Sequence, residues 1–208
     1  MKNKGALIAF SVSVFLISIS FIGADEKGVI QVNVLDSSEC ILNFVEGWNF
    51  FSFCQNLQDP DLEDVFSAIS GDYRYIMKWS QQNQEFEIYS PRSAEKPFAA
   101  VNDNESYFIY MNKPATIKIT GTPALSESRD LIEGWNAPSY QYFKLMPIET
   151  MTSTISSDFR YIMKWSQQNQ EFEIYSPRSA EKPFTDINPT EGQFIYMNKP
   201  NTLVYPAP

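Results

Sequence analysis

The sequence contains no histidine among its 208 residues. This absence excludes Ser-His-Asp and Cys-His catalysis, and it excludes zinc and haem sites that depend on histidine ligands. Glycine-rich phosphate loops, dinucleotide-binding fingerprints and EF-hand sequences are also missing. We therefore expect no catalytic residues, no metal site and no cofactor, and we interpret the chain as non-enzymatic.

Basic residues are few. The chain has 16 lysines and arginines against 25 aspartates and glutamates, and its formal net charge is −9. No run of basic residues offsets this charge locally. Because a polyanion repels the phosphates of nucleic acids, we expect no DNA or RNA partner.

Cysteine is limited to Cys40 and Cys54. An even pair in an exported chain favours a disulfide. Ile41–Val45 and Asn49–Phe53 flank a turn that contains Gly47, which is typical of a β-hairpin with the two cysteines opposite each other. We predict a Cys40–Cys54 disulfide across that hairpin. Two buried thiols that pack as small hydrophobic groups are the alternative.

Long apolar runs are absent except at the N-terminus. Lys2 and Lys4 precede the uncharged stretch Gly5–Ile22, and Ala24 is followed by charged residues. This pattern predicts a signal peptide over residues 1–24 and an extracellular or cell-surface protein. An uncleaved membrane anchor is one alternative, and it would be the chain's only membrane contact. A pilin-type leader, cleaved after Gly5, is another.

The main feature of the sequence is an internal repeat. Arg74–Phe98 recurs letter for letter at Arg160–Phe184, and Val45–Asn49 is matched by Ile132–Asn136. The two copies of the identical segment are offset by 86 residues. This offset is too long for a solenoid repeat, which spans about 20–50 residues. We predict two tandem modules over residues 28–121 and 131–208, joined by a linker over 122–130.

Hydrophobic periodicity predicts an α+β, β-rich fold. Alternating apolar and polar residues indicate strands, and caps with a 3.6-residue apolar period indicate a helix over Gln58–Gly71, with Asp59 as its cap. Each module is then a mostly antiparallel sheet of about five or six strands with one short helix. The strands predicted in the first copy are Gly28–Asn33, Tyr73–Ser80, Glu85–Ser90, Ser106–Asn112 and Thr116–Thr120.

Aromatic residues make up 15% of the chain and concentrate in the repeats. Exposed aromatic rings beside amide and arginine side chains are typical of sugar-binding surfaces, although aromatic side chains also fill small cores. A duplicated weak site would gain affinity through bivalency. The tentative ligand-binding residues are Gln82, Asn83, Tyr89, Arg92, Gln168, Asn169, Tyr175 and Arg178.

Paired carboxylates and a glycosylation sequon allow further interpretations. Glu85 and Glu87, with their copies in the second repeat, are paired carboxylates, but such alternation is more typical of a solvated sheet face than of glycoside hydrolysis. Cross-strand pairing of these carboxylates with Arg74 and Lys78 needs no ligand. Asn104 begins an N-glycosylation sequon in a predicted loop.

The segments EGWNFFSF, VFSAISGDYRYIMKW, EFEIYSP and NESYFIYMNKPATIKITG together resemble a repeat of secreted and surface proteins of archaea and some bacteria. That repeat typically reads GWNLISLP, then GYWIYM, then TLTVSG. Asn49–Phe53 stands in place of NLISL, and Ser106–Met111 stands in place of GYWIYM. The resemblance covers Ile41–Gly121 and Leu131–Tyr205, and the chain departs from it at the cysteine pair and at Gln193-Phe194. It implies an extracellular β-rich module without an established activity.

These features favour an exported tandem-repeat protein that acts as an adhesion or assembly module. Its expected partners are a surface glycan, a surface protein or a second copy of itself. A bivalent carbohydrate-binding protein is the first alternative, and a pilin-like filament subunit with a retained N-terminal helix is the second.

Overall fold

The computed structural model describes residues 39–124 and 127–206. The predicted signal peptide and the predicted strand Gly28–Asn33 lie outside the described residues. The described residues belong to one compact unit. Within the described part of the chain, no helix is long and apolar enough to cross a membrane.

Among the described residues, the first copy of the repeat contains eight strands and one α-helix. The strands are β1 (Cys40–Phe44), β2 (Gly47–Ser52), β3 (Asn56–Leu57), β4 (Tyr73–Ser80), β5 (Glu85–Tyr89), β6 (Ser106–Met111), β7 (Ala115–Ile119) and β8 (Gly121–Thr122). The helix is α1 (Leu62–Val65), and a 3-10 turn over Ser67–Ile69 follows it.

The second copy contains the remaining strands and helix. The strands are β9 (Glu127–Leu131), β10 (Gly134–Asn136), β11 (Met146–Pro147), β12 (Phe159–Ser166), β13 (Glu171–Tyr175), β14 (Asp186–Ile187), β15 (Gln193–Met197) and β16 (Asn201–Tyr205). The helix is α2 (Ile148–Met151), and a 3-10 turn over Ser153–Ile155 follows it.

Each repeat builds one four-stranded antiparallel sheet with the same strand order. The order is β2-β6-β4-β5 in the first repeat and β10-β15-β12-β13 in the second. The hairpins β4–β5 and β12–β13 turn through the sequence QQNQ, whose last residues, Gln84 and Gln170, have φ of 55° and 56°. The β-rich class with antiparallel sheets and few short helices is therefore confirmed.

Strand pairing differs from the hairpin predicted around Gly47. β1 pairs with β7, and β2 pairs with β6. The hairpin prediction is wrong because each strand finds its hydrogen-bonding partner far along the chain. The disulfide itself is confirmed, with the Cα atoms of Cys40 and Cys54 5.7 Å apart. It joins β1 to the segment that follows β2.

The stretch 122–130, predicted as a linker, ends in a strand. β9 begins at Glu127 and pairs with β16 in the same way that β1 pairs with β7. By alignment of the repeats, Glu127 and Gln141 occupy the positions of Cys40 and Cys54. In the second repeat a polar network links these positions: Arg129 contacts Glu127, and its Nη2 donates to Oε1 of Gln141 at 2.6 Å.

The helices are shorter than the Gln58–Gly71 pattern predicts. Asp61 rather than Asp59 caps α1, and its carboxylate accepts hydrogen bonds from the backbone of Glu63 and Asp64. The carboxylate of Asp59 instead accepts a hydrogen bond from the backbone N–H of Asp61. This bond forms a local turn, which delays the start of the helix. In the second repeat, Ile148 and Met151 of α2 and Ile155 of its 3-10 turn are buried.

Both faces of each sheet are covered. One face packs against the helix and the outer strand pair of its own repeat. A register shift between Tyr73 and Tyr75 in β4 turns both Tyr73 and Ile76 toward this core. Lys78 lies two residues beyond Ile76 on the same face, and its ammonium group covers the ring of Phe98 in this core. The other face of each sheet packs against the sheet of the opposite repeat.

Candidate ligand-binding site

A reciprocal clasp of hydrogen bonds joins the two repeats, and the tryptophans form its first part. The indole Nε1 of Trp79 in β4 donates to the backbone oxygen of Trp135 at 2.9 Å. The equivalent Trp165 in β12 donates to the backbone oxygen of Trp48, also at 2.9 Å. Each copy of the identical segment thus contacts the Gly-Trp-Asn turn of the other repeat.

Glutamines at the ends of the QQNQ turns form the second part of the clasp. Gln84 accepts from the backbone N–H of Trp135 at 2.8 Å and donates to its oxygen at 2.9 Å. Gln170 makes the same two bonds with Trp48 at 2.8 and 3.0 Å. Both glutamines have positive φ, and their side chains cross the boundary between the repeats.

Glycine is required opposite each of these glutamines. Gly47 and Gly134 have φ of +94° and +96°, a region that favours glycine. A Cβ at Gly134 would lie 2.6 Å from Oε1 of Gln84, and one at Gly47 would lie 2.8 Å from Oε1 of Gln170. Asn49 completes the turn, because its amide donates to the backbone oxygens of Val45 and Gly47. Gly, Trp and Asn of the GWN sequence therefore each have a structural role.

Backbone hydrogen bonds extend the contact symmetrically. Ser52 donates its N–H to the oxygen of Thr190 at 3.0 Å, and the equivalent Ser139 donates to Asn104 at 3.0 Å. Gly192 donates its N–H to the backbone oxygen of Phe50, and the equivalent Ser106 donates to the backbone oxygen of Ala137. The two repeats thus exchange matching contacts at both ends of the boundary.

A shared aromatic core fills the space between the sheets. Phe50 stacks on Phe108 with centroids 4.2 Å apart and on Phe194 at 4.9 Å. A Cβ at Gly192 would lie 2.7 Å from the Phe50 ring, so only glycine fits there. At the equivalent contact in the other repeat, Ala137 replaces the large ring and Ser106 replaces the glycine. A large ring thus faces glycine at one contact, and a small alanine faces serine at the other. The hydrogen bonds of the clasp, in contrast, are the same in both repeats.

The structure corrects one part of the predicted sugar-binding surface. Tyr89 and Tyr175 are only 2% and 5% exposed, so they present no ring to a ligand. Tyr89 donates to Glu63 at 3.0 Å, and the ammonium groups of Lys96 and Lys182 cover the rings of Tyr89 and Tyr175 at 4.2 and 4.3 Å. Burial also raises the pKa of Tyr175. The two tyrosines belong to the cores of their repeats.

The other predicted site residues are all exposed. They are Gln82, Asn83, Arg92, Gln168, Asn169 and Arg178. Two of them, Gln168 and Arg178, line the cavities described below. Asn104, the predicted glycosylation site, is also exposed in its loop, and its modification stays a prediction.

One cavity is a cleft between the repeats, with a volume of ≈ 460 Å³. Trp165, Gln167 and Gln168 line it from the second repeat, and Asn43 and Phe44 line it from the first. Further lining residues include Lys164, Glu173, Asn188, Thr190 and Glu191.

The charged groups of this cleft are arranged differently from their copies in the first repeat. The predicted cross-strand pair forms in the first repeat, where Lys78 and Glu87 are 3.1 Å apart. In the second repeat, Lys164 instead pairs with Glu191 at 2.7 Å. Among the described residues, the carboxylate of Glu173 therefore has no ion-pair partner within the cleft.

The second cavity, of ≈ 500 Å³, lies at the start of β12. Three chain segments form it: the first residues of β12, the loop after β13 and the turn after β15. Its lining residues are Phe159, Arg160, Tyr161, Ser176, Pro177, Arg178 and Asn198. Of these, the sequence pattern indicated only Arg178. The others were missed because nothing in the linear sequence shows that these segments meet.

The second cavity has a positive lining. Arg160 and Arg178 are exposed, and neither belongs to an ion pair among the described residues. The negative charge of the nearby Asp158 is already paired, because Lys199 lies 3.0 Å from it and Asn201 donates to it at 2.8 Å. Hydrogen bonding by Lys199 lowers the pKa of Asp158, so this carboxylate is ionised and occupied at neutral pH.

The described residues contain no group of three or more acidic, cysteine or histidine side chains placed to hold a metal ion. Comparisons of the chain with known protein families, with curated proteins and with solved structures gave no match.

Proposed function

We propose that this chain is an exported, non-enzymatic adhesion or assembly protein of the cell surface, built from two homologous modules that act as one rigid unit. The observation that supports this most directly is the reciprocal clasp, in which Trp79 and Gln84 bind one repeat and Trp165 and Gln170 bind the other. A clasp of this kind fixes the distance between duplicated surfaces, and a fixed distance favours multivalent binding.

The clasp also offers a physical reason why the two 25-residue segments are identical. Each copy fits the same Gly-Trp-Asn turn of the opposite repeat, so a change in either copy would disturb a matching contact. This supports membership of the GWN-type repeats of secreted and surface proteins, whose defining residues here form that turn. Selection on this internal contact is then an alternative to selection on an external binding face.

The non-enzymatic role is supported by the lack of catalytic sets built on histidine or on a free cysteine. The sequence has no histidine, and both cysteines are in the disulfide. The disulfide also supports export, because such bonds persist in oxidising compartments. The N-terminal segment, with Lys2 and Lys4 before an apolar stretch, agrees with this location.

Carbohydrate binding is the second candidate, and the cleft between the repeats favours it. Amide side chains, an indole and an unpaired carboxylate line that cleft, and these groups suit the hydroxyls and the apolar face of a sugar. Gln168 belongs to both the cleft and the set predicted from sequence. Tyr89 and Tyr175 are no longer part of this proposal.

The test is a binding and self-association study of the exported chain. A glycan array reports saccharide partners, and sedimentation velocity over a range of concentrations reports self-association. We expect glycan hits, concentration-dependent assembly, or both. The clasp variant Gln84→Ala/Gln170→Ala should reduce multivalent binding while binding to a single immobilised ligand at low density is retained.

A monomer at all concentrations with no glycan hit would contradict the proposal. Binding that is unchanged in the clasp variant would contradict the role of rigid spacing. The intact mass of the exported chain separates the remaining alternative: loss of residues 1–5 alone would support the pilin-like subunit, and loss of residues 1–24 would exclude it.

A further inference from the structure

We infer that the cavity at the start of β12 binds the carboxylate-bearing units of an acidic saccharide. Arg160 and Arg178 would hold the carboxylate, and Tyr161, Ser176 and Asn198 would contact the sugar ring and its hydroxyls. This inference rests on the proposed adhesive function and names the ligand class for one surface of it. It concerns a different cavity from the cleft that contains Gln168.

The cations around this cavity have no anionic partners. Six ion pairs form among the described residues, and none of them uses Arg160, Arg178 or Lys182. Lys182 donates instead to the backbone oxygen of Ser176, a residue that lines the cavity. In a chain with a net charge of −9, a group of cations without carboxylate partners attracts an external anion.

The donors of this cavity are guanidinium groups, whose geometry suits a carboxylate. A guanidinium group is planar and binds a carboxylate through two parallel hydrogen bonds, which a lysine ammonium does not reproduce. The Arg160 guanidinium lies 5.1 Å from the centre of the Tyr161 ring, so its orientation is partly fixed before a ligand arrives. Asp158, the nearest carboxylate in sequence, is occupied by Lys199 and Asn201 and does not compete for the arginines.

The uncharged lining residues favour a sugar acid over a free anion. Inorganic phosphate or sulfate has no apolar face to place against a ring. The cavity also presents a half-buried tyrosine ring, a hydroxyl and an amide, which suit the apolar face and the hydroxyls of a pyranose. Its volume of ≈ 500 Å³ falls within the range of about 300–1,000 Å³ typical of small-molecule sites.

The first repeat supplies a natural comparison. Arg74, Tyr75, Ser90, Arg92 and Asn112 are the aligned residues, and all of them are identical to their copies. There, however, Arg74 donates to Asn112 at 3.4 Å and lies over Tyr110. Because binding at this copy must first break that contact, we expect it to bind the same ligand more weakly.

The test uses calorimetric titration of the complete exported chain with trigalacturonate at low salt. Cellotriose serves as a neutral control, and inorganic phosphate and sulfate serve as free-anion controls. We expect binding of trigalacturonate only, with an affinity that falls as salt is raised. Arg160→Gln/Arg178→Gln should reduce the affinity at least tenfold, whereas the matched Arg74→Gln/Arg92→Gln should have a smaller effect. Arg178→Lys should lose affinity although it keeps the charge.

Circular dichroism and thermal melting of each variant check that it is folded. These arginines are exposed, so we expect melting curves like that of the unmodified chain. Unchanged affinity in Arg160→Gln/Arg178→Gln, equal binding of cellotriose, or equally tight binding of phosphate would each overturn the inference. No binding of trigalacturonate, together with neutral-glycan hits that depend on Gln168, would overturn this inference while leaving the proposed adhesive function in place.

Discussion

Gly134 has a φ of +96°, and the side chain of Gln84 reaches it from the other repeat. Gly71 has a similar φ of +91°, but nothing lies within 4 Å of the place where its Cβ would be. The two glycines therefore separate two effects of a methyl group. At Gly71 it adds backbone strain alone, and at Gly134 it adds strain and also displaces a hydrogen-bonded glutamine.

We expect Gly134→Ala to lower the free energy of unfolding by about 2–4 kcal/mol, because backbone strain adds to the loss of the Gln84 hydrogen bonds. Gly71→Ala should cost only about 1 kcal/mol. Equilibrium denaturation in urea measures both values. Equal losses at the two positions would show that the glutamine contact contributes nothing to stability.

Tyr140 provides a second prediction at this scale. Burial raises its pKa to about 12, and its neighbour Tyr142 adds to the shift. Burial raises the pKa values of Tyr89, Tyr107 and Tyr205 in the same direction. Below pH 10 these phenols are protonated in the folded and the unfolded chain, so stability there does not depend on them. Above pH 10 the unfolded chain loses its protons first, and stability must fall as pH rises toward 12.

Denaturation curves recorded across this pH range measure the effect. Tyr140→Phe removes one titrating group together with its bond to the backbone oxygen of Lys144. This variant should be less stable at pH 7, and its stability should fall less steeply above pH 10. An unchanged slope would contradict the assignment to Tyr140.

At the scale of elements, the strand pairs β1–β7 and β9–β16 occupy equivalent places but are cross-linked differently. The first is tied by the Cys40–Cys54 disulfide. The second is tied by Arg129, which contacts Glu127, Gln141 and Ser139. Arg129 aligns with Leu42, so a covalent link in an apolar core has been exchanged for a buried polar network.

Arg129→Leu should destabilise the chain by about 3–5 kcal/mol, because it leaves the buried Glu127 carboxylate without its partner. Urea denaturation measures the loss. Glu127→Leu/Arg129→Leu removes both charges, and it should recover a large part of the stability that the single variant loses. A double variant no more stable than Arg129→Leu would contradict this account of the network.

At the scale of the whole molecule, the two repeats share a core as well as a clasp. All four tryptophans of the chain, Trp48, Trp79, Trp135 and Trp165, pack against the aromatic cluster between the sheets. Intrinsic tryptophan fluorescence therefore reports on the contact between the repeats. Backbone circular dichroism reports on the strands of both.

We expect these two signals to change together in one cooperative unfolding transition, because neither repeat can keep its inner face buried when the other is lost. Calorimetric and van't Hoff enthalpies should then agree. A fluorescence transition that precedes the loss of strand signal would show instead that the repeats separate first and unfold independently.

Much of the local structure followed from the sequence. Alternation and the QQNQ turn predicted β4 and β5 nearly to their ends, and even cysteine usage predicted the disulfide. The α1 helix was predicted too long, because a local turn at Asp59 delays its start and the backbone at Phe66, with φ of −101° and ψ of 12°, leads into a 3-10 turn. Patterns of this kind depend on neighbours within a few residues, which a sequence displays directly.

The candidate site was predicted only in part. Gln168 and Arg178 were found because the repeat places amides and an arginine near a turn. Arg160, Tyr161 and Asn198 were not found, because the cavity is formed by segments that are distant in the chain. Tyr89 was misplaced because its exposure depends on Phe98 and Lys96, which fold back over it.

The sequence alone determined that Arg74–Phe98 and Arg160–Phe184 are the same local unit, since identical residues with identical periodicity form the same strands and turn. Only the tertiary structure decided what the unit contacts. Strand partners, the burial of Tyr89 and the reach of Gln84 to Trp135 all depend on contacts between residues far apart in the chain. Such contacts are fixed by the packing of whole sheets, and local patterns do not encode that packing.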